Sequence, residues 1–369
     1  MALLPDSYEE LLVRARLAGE ADDVEGAMAL YRRLVERLTG LSERVLARRP
    51  ELRNLQAQAR LGLIELLNEQ GRYAEAIEMA QPLLELDPEH ADQWRQNLAI
   101  MRLAKGEVDA GLAELRTLAE EQPDDPWRWA VLGTQARVEG RFAESQAALE
   151  RAIEMGGESE PREQAFFHYQ RFELFKAMGR LDEALAAWEQ AASLNDEVKS
   201  TVRQVYTMLT DAGRYTEAQR YVAREANPLQ AGFQRGLIAY LTGDWSGARQ
   251  EWRAVAALDP EKFGAGHDCW TEALLRLGDP TPALERLPRL LANHATPRLV
   301  VLSGIAWAMN GDAHLAANLF QQAINALRHG RPPKQKLDHA DWRLLDSLVT
   351  EGRIKAELKP YFAVVETVW

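Results

Sequence analysis

The sequence predicts an all-α fold: a right-handed superhelical solenoid of about nine helix–turn–helix units closed by a C-terminal helical cap. Three observations carry this reading. A ten-residue phrase recurs: GRYAEAIEMA at 71–80, GRFAESQAAL at 140–149, GRLDEALAAW at 179–188 and GRYTEAQRYV at 213–222, with a weaker copy, GDWSGARQEW, at 243–252. The opening glycine belongs to a series at 71, 106, 140, 179, 213, 243, 278 and 311, most intervals lying within a residue of 34. Apolar residues on either side of each glycine fall at helical spacing, as Trp129, Leu132, Gly133 and Ala136 do before Gly140.

Taken in chain order, the first unit lacks the glycine. Its DDVEGAMALYRRL at 22–34 still places Ala27 where Ala76 and Ala184 stand, so 1–40 reads as a helix pair. The array proper spans 41–330. Its start, LSERVLARRPELRNLQ at 41–56, adds residues and predicts flanking helices longer than usual. The unit at 126–155 is the clearest: two helical segments meet at Gly140, which can take the positive φ of a tight turn. GGESEPREQ at 156–164 reads as an inserted loop, and the unit at 199–228 has a short second helix. The unit at 264–296 contains Pro280, Pro282 and Pro288. Pro280 suits a helix start, and Pro288 is expected to kink or split the second helix. Residues 331–369 comprise a basic, proline-broken linker and capping helices, in which Trp342, Leu345, Leu348 and Val349 can share one face. The alternative for this segment is a second contact surface that docks another chain.

One helix pair cannot bury its apolar face alone, whereas stacked pairs can. On the 34-residue period, the G-x-aromatic-x-x-A turn (Gly71, Tyr73, Ala76) and the Asp-Pro breakers at 87–88 and 259–260, the sequence resembles the tetratricopeptide repeat family over about residues 8–330. Gly111 and Ser145 depart from that pattern, standing where the family has Ala.

Composition excludes several functions. No run approaches the ~18 apolar residues of a membrane span, so no membrane partner is expected. The N-terminus has neither the basic nor the apolar region of a signal peptide. The single cysteine, Cys269, cannot form an intrachain disulfide or a cysteine-rich metal site. A cytoplasmic location is therefore expected. The net charge of −12 argues against free nucleic acid as a partner. The 36 Arg against 8 Lys suggest a bacterial genome rich in GC.

Catalytic motifs are wanting. His267, Asp268 and Cys269 are adjacent, but residues i and i+2 of a helix point apart, so Cys269 reads as a buried, inert thiol. The seven histidines show no i, i+4 pair and no H-E-x-x-H, so no metal, no cofactor and no enzymatic activity are expected. Acidic pairs such as Asp22-Asp23 and Asp124-Asp125 sit at turns and read as caps. Arg44, Arg48, Arg49, Arg53 and Arg60 read as a solvated face, with a contact for an acidic partner or nucleic acid as the alternative.

The resemblance implies a curved array in which the first helix of each pair lines the concave face. The family's groove positions then fall on Gln96, Trp127, Arg137, Phe166, Tyr169, Lys176, Arg203, Phe233 and Tyr240, with Asn97 beside them, and also on Gln93, Thr134, Glu173, Thr207 and Leu237. Aromatics beside Arg, Gln and Asn suit a peptide: the rings supply area and the polar groups meet backbone amides. Leu61 and Glu65 replace the Lys and Asn of the family's carboxylate clamp, so chaperone C-terminal tails are not expected ligands. The implied function is a non-enzymatic scaffold or adaptor that binds a protein or peptide partner, as in a regulatory subunit of a separately encoded effector. The alternatives are a peptide-sensing signalling receptor and a single-stranded RNA-binding helical repeat protein.

Overall fold

The computed structural model describes residues 7–329. The expected linker and cap at 331–369 lie outside the described residues. Contacts divide the chain into two units, with the boundary between Asn195 and Asp196. Among the described residues, the secondary structure is helical throughout and contains no strand.

The first unit is a succession of antiparallel pairs: Tyr8–Glu20 with Val24–Thr39, Glu51–Glu69 with Tyr73–Ala80, Ala91–Lys105 with Val108–Glu121, Pro126–Val138 with Phe142–Met155, and Pro161–Ala177 with Leu181–Leu194. The second helix of each pair packs on the first helix of the next, so each pair meets mainly its neighbours, as a solenoid requires. Small residues make the close approach possible. A Cβ on Gly133 would come within 2.7 Å of the Leu149 side chain in the partner helix. Ser145, standing in the family's Ala position, is fully buried and stays satisfied by donating its hydroxyl to the Gly133 carbonyl at 2.7 Å.

The second unit repeats the plan with Val202–Asp211 and Tyr215–Val222, Pro228–Leu241 and Trp245–Ala256, His267–Leu277 and Thr281–His294, and Pro297–Met309 and Ala313–His329. Its core contains Leu229, Phe233, Trp252, Trp270, Leu274, Leu287, Ile305 and Phe320.

Every glycine of the turn series has positive φ, from 69° at Gly71 to 97° at Gly106. The first pair uses Asp22 there, at φ 62°, a region that costs an L-residue energy. Asp23 then caps the following helix, accepting from Gly26 N at 3.0 Å.

The extra residues near 41–56 form a short helix, Glu43–Arg48, and the flanking helices are long as expected, 16 residues at Val24–Thr39 and 19 at Glu51–Glu69. One irregular region departs from its sequence reading. Pro288 does not split its helix: Thr281–His294 runs through it and still buries Ala283, Leu287 and Leu290. Burial of that face outweighs the missing N–H, a case of packing overriding local preference. The short second helix is there as expected, at Tyr215–Val222. The insertion at 156–164 is a 3-10 turn, Gly156–Glu158, leading to a helix that starts at Pro161.

Candidate functional site

In the first unit the candidate residues sit on adjoining first helices. Asp125 accepts from Trp127 N at 2.9 Å and so fixes the start of one of them. Trp127 and Phe166 come together with ring centroids 5.0 Å apart. They remain 40% and 36% exposed, although both are large aromatics. Phe167 lies beneath them, fully buried, with its ring 5.2 Å from Trp127 and 6.0 Å from Phe166. Gly156 makes room for that ring, since a Cβ there would sit 2.6 Å from it. The inserted turn thus seats the floor of an exposed aromatic pair.

One helical turn or two further along, Thr134 donates to Gln170 at 3.3 Å, tying the same two helices through neutral polar groups. The other candidates are half-buried. Gln96 accepts from Arg128 at 3.3 Å, and Asn97 accepts from Gln93 at 3.4 Å. Tyr169 lies 5.6 Å from the Phe172 ring. Lys176 pairs with Glu173 at 2.7 Å and stands over Phe172. Arg137 is half-buried, with Nε enclosed.

In the second unit the structure gives the candidates other work. Phe233 is 3% exposed and belongs to the core, where its carbonyl accepts from Trp252 Nε1. Leu237 is also buried. Tyr240 is half-buried, edge-on to the exposed Trp245 at 4.7 Å. Arg203 donates to Asp268 at 2.7 Å. Arg298 donates to the same Asp268 oxygen and, at 2.6 Å, to Glu272. Arg276 completes the chain on Glu272 at 2.5 Å. Glu272 is fully buried and Arg298 is 8% exposed. Burial alone would raise the Asp268 carboxyl, but the guanidinium groups of Arg203 and Arg298 outweigh it and hold the carboxyl far below its usual range.

This network was missed from sequence. Its signal was there: Asp268 and Glu272 stand i, i+4 on a helix that is otherwise largely apolar, and Arg298 opens another, PRLVVLSGIAWAM. A small recess beside it is lined by Arg203, Tyr206, Phe233, Gln234, Cys269 and Arg298. Cys269 is 2% exposed, and its thiol is pushed up to about 12, first by burial and then by Asp268. A protonated, enclosed thiol is a poor nucleophile. His267 stacks on His294, with ring centroids 4.3 Å apart. Burial, and then His294, lower its pKa.

Repeated helix pairs with positive-φ glycine turns and small residues at the pair interface define a helical-repeat protein. Residues 67–137 match the family model described as tetratricopeptide repeat. Over that segment the chain is similar to the tetratricopeptide repeat family. No curated protein matches it. Solved structures similar to it include a tetratricopeptide repeat protein from Parabacteroides merdae, 15% identical, with TM-score 0.43 over 69% of this chain and 97% of that one. Pseudomonas aeruginosa pilF is 16% identical, with TM-score 0.41 over 61% and 99%. The apo quorum sensor NprR from B. thuringiensis is 12% identical, with TM-score 0.41 over 86% and 97%. No helix among the described residues is long and apolar enough to cross a membrane.

Proposed function

We propose that the protein is a non-enzymatic, cytoplasmic scaffold or adaptor that holds a protein or peptide segment on the first-helix face of its first unit, as a regulatory subunit of a separate effector would. The observation that carries this reading is the Trp127–Phe166 pair, two large aromatics left open on adjoining helices. Exposed aromatics on a rigid scaffold are the usual anchors of binding energy. Thr134, Gln170 and Asn97 lie on the same set of helices and supply donors and acceptors for a backbone. In the second unit Phe233 and Arg203 are engaged internally, so the binding face is assigned to the first.

Site-specific photocrosslinking tests this. A benzophenone side chain at Phe166 should yield protein adducts in the source cell. The same group at Ala147, exposed on the second helix of its pair, should not. Adducts from Ala147 alone would move the site to the other face, and RNA adducts from Phe166 would replace the protein partner.

A further inference from the structure

The two units differ sharply in charge. Residues 1–195 hold 36 Asp and Glu against 23 Lys and Arg, a formal −13, whereas residues 196–369 hold 20 against 21, a formal +1. The acidity of the whole chain therefore resides in the unit that carries the exposed aromatic pair. Carboxylates flank that pair in sequence, alongside Arg128 and the exposed Arg162. Asp124 and Glu160 are exposed at the ends that lead into the two helices, and Glu163 lies one turn before Phe166 on its helix face.

A second observation is independent of charge. Elsewhere in this unit four aromatic rings carry one of the chain's own cations: Arg37 lies 4.8 Å from the Tyr8 ring centre, Arg151 4.8 Å from Trp129, Lys176 4.9 Å from Phe172 and Arg180 4.6 Å from Phe175. Among the described residues none lies over Trp127 or Phe166. Arg128, next to Trp127, is directed to Asp92, Asp125 and Gln96.

We propose that Trp127 and Phe166 form a cation-accepting site for an arginine-bearing segment of a basic protein partner. The indole face attracts the planar guanidinium. Asp124, Glu160 and Glu163 draw the segment in and balance its charge. Phe167 beneath keeps the two rings in place. This rests on the reading of the first-helix face as the binding face, and it adds the chemistry of what binds there.

The test uses the full chain and a fluorescein-labelled peptide of repeated Gly-Arg-Leu triplets, followed by anisotropy. Comparison peptides carry citrulline or Glu in place of Arg. The arginine peptide should bind saturably, and more weakly as salt rises. Citrulline, of the same shape without charge, should lose about tenfold. Trp127→Leu and Phe166→Leu keep apolar area but remove the π face, and each should lose about fivefold, whereas Trp127→Phe should keep most of the affinity. Unchanged melting temperatures confirm that these variants fold. Equal binding of arginine and citrulline peptides, or full binding by Trp127→Leu, overturns the cation site and leaves an apolar anchor. Absence of saturable binding also overturns it, while protein adducts from Phe166 would still uphold the scaffold reading.

Discussion

Arg203 and Asp268 stand 65 residues apart, yet Arg203 Nη2 donates to Asp268 Oδ2 at 2.7 Å, bypassing the whole helix pair between them. Arg298 reaches the same oxygen from the pair that follows. This shared carboxylate joins three helix pairs of the second unit, and it changes what Arg203 is expected to do. A groove arginine could be removed with little effect on folding, but this one neutralises a desolvated acid.

Asp268→Asn keeps the shape of the side chain and removes its charge, leaving Arg298 enclosed with one acid fewer. Breaking one partner of such a network costs about 3 kcal/mol. Urea denaturation at neutral pH should show a loss of that order, and Arg203→Ala should lower the melting temperature as well. The pH dependence follows from the depressed carboxyl. The unfolded chain binds this proton more tightly than the folded one, so the stabilisation is complete above about pH 4 and is lost as pH falls further. The acid limb of the stability curve should be shallower in Asp268→Asn than in the native protein.

Asp22 occupies the turn position that the other pairs give to glycine. Asp22→Gly should raise stability by about 1 kcal/mol, since the left-handed backbone no longer carries a Cβ. The urea midpoint of the full chain measures it. A fall would mean that the Asp22 carboxylate stabilises the first turn by more than the strain it bears.

Cys269 should resist iodoacetamide in the folded chain at pH 8 and react once urea unfolds it, because the thiol is enclosed and its ionisation is pushed up to about 12. Cys269→Ala should cost about 1–2 kcal/mol through lost packing and leave partner binding within a few-fold. Rapid labelling of the native protein would mean that the recess opens.

The turns were legible because their requirement is local. A 34-residue glycine series and the residues after each glycine suffice to place a positive φ, and all eight glycines have it. The groove-facing positions of the first helices came from the family resemblance. Whether something then covers a side chain there is a property of the next pair, and here the sequence misled. Phe233 and Trp127 were both expected in the groove, but they stand ten and thirteen residues before their turn glycines, and one is 3% and the other 40% exposed. Arg60 shows the same limit. It reads as part of a basic surface, yet it is 5% exposed, with hydrogen bonds to Thr39 and to the Met79 carbonyl. It stands eleven residues before its turn glycine, as Trp129, His168 and His267 do before theirs. The same place in the fold thus takes an indole, an imidazole or a guanidinium, with Arg60 and His267 buried and Trp129 and His168 half-buried.

An array of interchangeable pieces would have no addresses: sliding it by one piece would restore every contact. The carboxylate at Asp268 removes that ambiguity. It lies ten residues before its turn glycine, and the same place in the other pairs of its unit holds Arg203, Phe233 and Val301. A slip by one pair would bring a phenylalanine or a valine to two arginines that need an acid. The second unit therefore numbers its own pieces, and a chain that folded out of order would be left holding an unanswered charge.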